Sequence, residues 1–264
     1  MQPTLEIKNL TKRFGSLTAV DHLDMQIFPG DSVAFIGQNG AGKSTTMRTI
    51  AGMSSPDEGT IRIHDIDIQA NPLQARKHLG YVPQDLALFR YMTGLEYLTL
   101  IAKIREIEPG KISDAVNELL ELCDLRQAQN RLIREYSGGM ARKIAMAGAL
   151  LGKPGLIVLD EAFVGLDPES TFKLGEYLKS YTNNGGSLLI SSHVLDMLQH
   201  LCSRFFILHH GKCVSDIDKP TLVSQFEFPD TPNITAYYLK MTDQSSLIGQ
   251  FAATQHAGSQ KSAE

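Results

Sequence analysis

The 264-residue sequence has few cysteines and no long apolar run. Its three cysteines, Cys123, Cys202 and Cys213, share no C-x-x-C spacing, which argues against both a disulfide framework and a zinc site. We therefore expect them to be reduced packing residues. The longest wholly apolar run, residues 145–152, is far shorter than the roughly 18 residues needed to cross a bilayer, so no membrane-spanning segment is expected.

The sequence also has no large excess of positive or negative charge. Lys and Arg total 25 against 29 for Asp and Glu, which gives a net charge of -4, and like charges do not cluster. A role in binding nucleic acid through bulk positive charge is therefore not expected. The first residues lack a basic segment followed by an apolar core, so we expect a cytoplasmic protein.

The pattern of apolar residues divides the chain into regions of different structure. The first 80 residues contain β-type segments and one clear helix, over 43–51; the strands are predicted at 4–8, 19–28, 32–36 and 60–64. Residues 93–151 have helical spacing throughout. Two later strands, at 156–159 and 187–191, are separated by a helix that begins at Pro168 after the N-cap Asp167. Alternating strands and helices predict a parallel sheet.

The C-terminal part continues this pattern for a short distance. Strands predicted at 204–209 and 212–216 flank His210 and Gly211, as in a hairpin, and Pro220 begins one more short amphipathic segment. The last twenty or so residues are rich in Ser, Gln, Ala and Gly, so we expect a mobile tail.

One segment matches the phosphate-binding loop G-x-x-x-x-G-K-[ST] between a predicted strand and a predicted helix, as that motif requires. Backbone N–H groups of such a loop bind phosphate oxygens, and the helix dipole favours the same anion. We expect Lys43 to reach the β- and γ-phosphates and the Ser44 hydroxyl to coordinate Mg²⁺. The nucleotide-binding residues are predicted to be Gly37, Asn39, Gly40, Ala41, Gly42, Lys43, Ser44 and Thr45.

The apolar strand at 156–159 leads into two adjacent carboxylates, Asp160 and Glu161. A doubly buried strand has no structural use for acids at its carboxyl end, and ligand sites of parallel sheets gather there. Asp160 is suited to hold Mg²⁺ and Glu161 to polarise the water that attacks a γ-phosphate. No N-K-x-D segment is present to read guanine.

A second glycine pair, Gly138 and Gly139, follows Ser137 and leads into the helix predicted over 140–151. It is another helix N-terminus suited to phosphate, yet one chain has no second nucleotide to offer it. Residues 136–140, YSGGM, resemble the LSGGQ signature of the ATP-binding cassette (ABC) family, and further motifs occur in that family's order across residues 4–220. The chain is most similar to bacterial ABC-2-type exporter cassettes.

This resemblance implies an α/β fold: a P-loop NTPase core whose mixed sheet is flanked by helices, an N-terminal antiparallel β-subdomain, and an inserted α-helical subdomain that carries the signature. The ABC domain is expected over residues 1–220, with the helical subdomain at about 86–152 and an extension at 221–264.

The resemblance also implies roles for residues outside the P-loop. Phe14 is expected to stack on adenine, Gln84 to contact Mg²⁺ and the attacking water, and His193 to contact the γ-phosphate. The implied catalytic set is Lys43, Gln84, Glu161 and His193; the implied metal ligands are Ser44, Gln84 and Asp160. Ser137, Gly138 and Gly139 would bind ATP held by a second cassette.

The implied partners are that second cassette, expected to be an identical chain, and a membrane permease on a separate polypeptide. The protein would then lie on the cytoplasmic face of the membrane. Residues 86–97 are rich in apolar side chains, which fit either permease docking or internal packing. A soluble ABC ATPase that assembles cytosolic partners, of the iron–sulfur type, is the alternative function.

The sequence departs from the usual family pattern at three places: at the end of the signature (Met140), after the carboxylate pair (Ala162 and Phe163), and in the loop that begins there at Val164 and Gly165. Their effect is expected on the rate of turnover rather than on the existence of hydrolysis. A cassette that binds ATP and barely hydrolyses it is a further alternative, which Glu161 argues against.

Overall fold

The computed structural model describes residues 1–225 and 234–242, which form two β-sheets and a surrounding set of helices. The strands in chain order are β1 (Leu5–Phe14), β2 (Leu17–Ile27), β3 (Ser32–Ile36), β4 (Glu58–Ile63), β5 (Ile66–Asp67), β6 (Leu79–Val82), β7 (Leu156–Asp160), β8 (Ser187–Ser191), β9 (Arg204–His209) and β10 (Lys212–Asp218).

The helices lie between and after these strands. They are α1 (Lys43–Ile50), α2 (Pro72–Lys77), α3 (Gly94–Ile104), α4 (Pro109–Leu122), α5 (Gly138–Leu150), α6 (Pro168–Asn183), α7 (Leu195–Leu201), α8 (Lys219–Gln225) and α9 (Ile234–Met241). Short 3₁₀ turns occur at Arg126–Ala128 and Ile133–Glu135. Within the described ranges, no helix is both long and apolar enough to cross a bilayer.

The larger sheet has the strand order β10-β9-β3-β8-β7-β6. All its neighbours pair in parallel except β10, which returns antiparallel to β9 through the predicted hairpin. Every residue of β3, β7 and β8 is buried, because helices or the second sheet cover both faces. The expected mixed α/β sheet is confirmed, and it brings the carboxyl ends of β3, β7 and β8 to one edge.

The smaller sheet is antiparallel, with the order β2-β1-β4-β5, and confirms the expected N-terminal β-subdomain. Its inward residues, such as Leu5, Ile7 and Ile61, pack in one core with Met47 and Ile50 of α1 and with one face of the larger sheet. Phe14 is the last residue of β1, immediately before the β1–β2 turn.

The other face of the larger sheet packs against helices α3 to α7. Helix α3 begins with a capping box, in which Thr93 Oγ1 accepts from the Glu96 amide and the Glu96 carboxylate accepts from the Thr93 amide. In α4, Val116, Leu119 and Leu120 are buried, as their helical spacing predicts. The helical character expected between residues 93 and 151 is confirmed.

Some elements differ from the expectations. The four-residue strand β6 and the six-residue helix α2 were not predicted, because neither is long enough to establish a period. The expectation that the cysteines are packing residues holds for Cys123 and Cys202, which are buried, but is wrong for Cys213, which is exposed on β10. The tail expected to be mobile lies outside the described residues.

The C-terminal extension contributes helices to the folded body. Pro220 lies in the first turn of α8, as predicted. In α9, the Ile234 amide donates to Gln199 Oε1 of α7 at 3.1 Å, and the hydroxyls of Tyr237 and Ser215 lie 2.7 Å apart. Helix α9 is therefore hydrogen-bonded to helix α7 and to the edge strand β10.

Close packing between α5 and β6 generates a prediction. A Cβ added at Gly80 would lie 2.2 Å from the Ala149 carbonyl oxygen, a backbone atom that cannot rotate away. We expect Gly80→Ala to lower the free energy of unfolding by about 2 kcal/mol, the usual cost of overpacking, as measured by urea denaturation. Gly175→Ala is the matched control, since no atom lies within 4 Å of its added Cβ in α6; it should stabilise slightly. Equal stability of the two variants would contradict this packing argument.

Candidate nucleotide-binding site

A cavity of about 420 Å³ lies at the edge where the carboxyl ends of β3, β7 and β8 meet. It collects predicted site residues from separate parts of the chain. Those that line it are Phe14, Asn39, Gly40, Gly42, Lys43, Ser44, Thr45, Gln84, Glu161 and His193. Asp160 is fully buried just below it. These ten residues and Asp160 thus converge on one place in space, whereas the predicted residues Gly37 and Ala41 do not line the cavity.

The backbone of the loop between β3 and α1 requires glycine at two positions. A Cβ at Gly37 would lie 2.5 Å from the Leu208 carbonyl oxygen, and one at Gly42 would lie 2.4 Å from that of Ala19. Gly42 also has a φ of 107°, in the left-handed region. The Gly211 amide donates to the Ala41 carbonyl at 3.0 Å. The loop is therefore held against β2 and the β9–β10 hairpin.

Helix α1 presents an open N-terminus to this cavity. Gly42 is its N-cap and supplies no side-chain hydrogen bond, so the first amides of the helix are available to an anion. Lys43 Nζ donates to the carbonyls of Gly37 at 2.6 Å and Gln38 at 3.0 Å. Burial lowers the pKa of Lys43, and the nearby charges of Glu161 and Asp160 act in the opposite direction.

The two carboxylates at the end of β7 have different environments. Asp160 Oδ1 accepts a hydrogen bond from Ser191 Oγ at 2.8 Å, whereas its Oδ2 is buried without a protein partner. Glu161 accepts from the His193 amide on Oε2 at 3.3 Å, and its Oε1 lies 3.4 Å from His193 Nε2 without making a hydrogen bond. Each carboxylate thus keeps one oxygen for a ligand.

Glu161 has an unusual backbone conformation. Its φ of 53° lies in the left-handed region, which is costly for a residue with a side chain. The Ser191 carbonyl and hydroxyl both accept from its amide at 3.2 Å, and Arg142 of α5 donates to its carbonyl at 2.8 Å. These contacts hold the carboxylate above the end of the sheet, where it faces the cavity.

These residues fit a magnesium nucleotide. The open helix N-terminus and Lys43 suit phosphate oxygens, and unpartnered buried carboxylate oxygens suit a hard divalent cation. Ser44, Gln84 and Asp160 are the residues that would hold it.

Phe14 lies at the rim of the cavity rather than in a core. Its side chain is 54% exposed, and Lys12 Nζ lies 5.6 Å from its ring centroid. Leu17, Ala19 and Gln38 also line the cavity but were not predicted. Leu17 and Ala19 follow Phe14 across the β1–β2 turn, and their closeness to Phe14 in the sequence could have indicated them. Ser191, the partner of Asp160, was likewise missed, although a serine ends its buried strand.

The signature residues lie outside this cavity. Ser137 is the N-cap of α5, with its Oγ accepting from the Met140 amide at 3.2 Å, and Ser137 and Gly138 are exposed. A Cβ at Gly139 would approach the Gly165 carbonyl oxygen to 3.0 Å. The structure therefore places this second phosphate-type helix N-terminus on the surface, away from the P-loop of the same chain.

Three of the residues that depart from the family pattern pack in or against the helical core. Ala162 is fully buried, Phe163 is buried, and Met140 packs against the same core. None of the three lines the nucleotide cavity.

Comparisons with known proteins agree with this geometry. Residues 20–164 match the ABC transporter family. The chain is 32% identical over 216 residues to the Nod factor export ATP-binding protein I of Cupriavidus metallidurans, covering 82% of this chain and 71% of that protein.

Solved structures share the fold. The ATP-binding subunit of an ABC transporter superposes with a TM-score of 0.84 at 28% identity, covering 90% of this chain and 99% of the other. A dimeric ATP-binding cassette in a post-hydrolysis state, bound to ADP and Pi, superposes with a TM-score of 0.74 at 23% identity, covering 81% of this chain and 98% of the other. The second likeness concerns the fold alone.

Because Phe14 is exposed, substituting it tests whether the ring binds the nucleotide by stacking or stabilises the fold by packing in a core. We expect Phe14→Ala to weaken nucleotide binding about tenfold, the usual effect of losing one aromatic stack on a base, as measured with a fluorescent ATP analogue. The free energy of unfolding should change by less than about 0.5 kcal/mol because the ring is half exposed. Phe172→Ala, at another exposed ring on α6, should leave affinity unchanged. Loss of stability with unchanged affinity would refute the assignment.

Proposed function

The chain belongs to the ABC transporter family, and on that premise we propose that it is the ATP-hydrolysing subunit of an exporter whose membrane permease is a separate polypeptide. The observation that carries this proposal is the convergence of the P-loop, Gln84, Glu161 and His193 on one cavity. Its ATP-binding domain would span residues 1–220. Assembly of iron–sulfur clusters is not favoured, since the relative is named for export.

Each residue has a task that its position supports. The α1 amides and Lys43 would bind the phosphates and neutralise their charge. Magnesium, when bound by Ser44, Gln84 and Asp160, would withdraw charge from the phosphate oxygens. Glu161 would accept a proton from the attacking water through its unpartnered oxygen. His193 lies next to that carboxylate and would position the γ-phosphate relative to Glu161.

The position of the signature supports dimerisation. Ser137, Gly138 and Gly139 form a surface phosphate-type N-terminus with no nucleotide from their own chain. A second copy facing head to tail would place its own P-loop there, and two ATP molecules would be held between the chains. We propose a homodimer that closes on ATP and opens after hydrolysis, which transmits the cycle to the permease.

The apolar stretch at 86–97 supports a membrane partner. Leu86, Leu88 and Leu95 pack against the core, whereas Phe89 is 55% and Tyr91 is 81% exposed. These two residues follow Gln84 by five and seven positions in the chain, so a cytoplasmic helix of a permease seated on them would contact the segment that continues from this cavity residue. The protein would then lie peripherally on the cytoplasmic face of the membrane.

Two substitutions test hydrolysis. Lys43→Ala should lose nucleotide affinity because a buried cation beside the phosphates is removed. Glu161→Gln should retain ATP affinity, lower turnover by at least about a hundredfold, and accumulate as a dimer in Mg-ATP. Phosphate release and size-exclusion chromatography measure these outcomes. A monomeric Glu161→Gln variant with normal turnover would contradict both the catalytic role and the dimer.

A second pair tests docking. We expect Phe89→Asp and Tyr91→Asp to move the protein from the membrane fraction to the supernatant, because each places a charge on an apolar contact, when it is co-expressed with its permease. ATP affinity should remain at the wild-type value. Leu73→Asp is the control, since Leu73 is 75% exposed on α2, away from this stretch. Undiminished membrane recovery of both variants would refute this docking surface.

A further inference from the structure

Three buried side-chain atoms in the described residues have no hydrogen-bond partner: Tyr81 Oη, Asp160 Oδ2 and Glu161 Oε1. Buried polar atoms are normally paired, because an unpaired one costs free energy. Two of the three belong to the carboxylates of the nucleotide site. The third belongs to Tyr81, a residue to which neither the sequence analysis nor the proposed mechanism gives a role.

The sheet register places Tyr81 beside Asp160. Tyr81 on β6 pairs with Val158 on β7, and Asp160 lies two residues further along β7, so both side chains emerge from the same face. That face packs against α1. The tyrosine ring packs against this core, on the side of the sheet from which Asp160 emerges.

Electrostatics agree with this placement. Burial and the charge of Asp160 raise the pKa of Tyr81 to about 12, while the guanidinium of Arg48 in α1, a positive charge and a donor beside the phenol oxygen, acts in the opposite direction. The hydroxyl therefore remains protonated and keeps a proton to donate. Arg48 Nη2 also lies 3.8 Å from Oδ2 of Asp85, the residue that follows Gln84.

We propose that Tyr81 is a positioning residue of the magnesium site, whose hydroxyl donates a hydrogen bond to a metal-bound water and thereby orients the cation shared with Asp160. The inference rests on the proposed Mg-ATP chemistry. It predicts an unusual pair of effects, because the hydroxyl proton has no protein acceptor until the metal is bound. Removing the hydroxyl should cost little stability in the free protein and should weaken mainly the metal-loaded state.

The experiment compares Tyr81→Phe with Tyr181→Phe in the full chain. Tyr181 is the matched control, since its hydroxyl donates to the Pro154 carbonyl at the opposite end of the sheet. Mn²⁺ binding in the presence of a non-hydrolysable ATP analogue is followed by electron paramagnetic resonance. Thermal unfolding is followed in EDTA and in Mg-ATP, and turnover is titrated with Mg²⁺.

For Tyr81→Phe we expect Mn²⁺ affinity to fall roughly three- to tenfold, the effect of one hydrogen bond, with unchanged analogue affinity in EDTA. Its melting temperature in EDTA should equal or exceed that of the wild type, and the half-saturating Mg²⁺ concentration should rise more than kcat falls. Tyr181→Phe should lower the melting temperature in EDTA and leave Mn²⁺ affinity intact.

Wild-type Mn²⁺ affinity in Tyr81→Phe, or an equal loss in both variants, would overturn the role of Tyr81 and leave the proposed function standing. A lower melting temperature of Tyr81→Phe in EDTA, with unchanged Mn²⁺ affinity, would reduce Tyr81 to a packing residue. Failure of the wild type to bind Mn²⁺ with the analogue would overturn the proposed function together with this inference.

Discussion

Parallel pairing of β3, β8 and β7 is the constraint on which the rest of the structure depends. Because the strands run in one direction, the loops that follow them emerge at a single edge. The P-loop follows β3, the carboxylate pair ends β7, and Ser191 ends β8. Burial of apolar side chains on both faces holds these strands in register. The polar residues at their carboxyl ends are therefore positioned by the sheet and do not need to stabilise the fold themselves.

The site in turn opposes the stability of the fold. Glu161 is held at positive φ, and the three buried atoms without partners are Tyr81 Oη and one oxygen from each carboxylate. Such features each cost free energy, and the three unpartnered atoms of the described residues all belong to residues near the carboxyl ends of the neighbouring strands β6 and β7. The surrounding core, in which the strands and α1 interdigitate, offsets that cost.

Much of this arrangement can be predicted from sequence. The motif from Gly37 to Thr45 has a fixed spacing because each of its glycines either lies too close to a backbone oxygen for a side chain or has a left-handed φ. Asp167 and Pro168 identify the start of α6, because Asp is a preferred N-cap and Pro a preferred first helical residue. Features that are short, or that depend on tertiary packing, cannot be predicted from the sequence pattern. Strand β6 has four residues, so Tyr81 has no predicted face, and residues 86–97 divide between core and surface in a way that periodicity does not resolve.

The two hydrogen bonds that Lys43 donates to the carbonyls of Gly37 and Gln38 have a thermodynamic consequence. They give the loop its ligand-binding shape before any anion arrives, so binding does not have to order a flexible segment. Preorganisation of this kind lowers the entropic cost of association. In the proposed mechanism, the ammonium group exchanges these carbonyl partners for phosphate oxygens, and nucleotide binding is a substitution of ligands around one cation rather than a folding event.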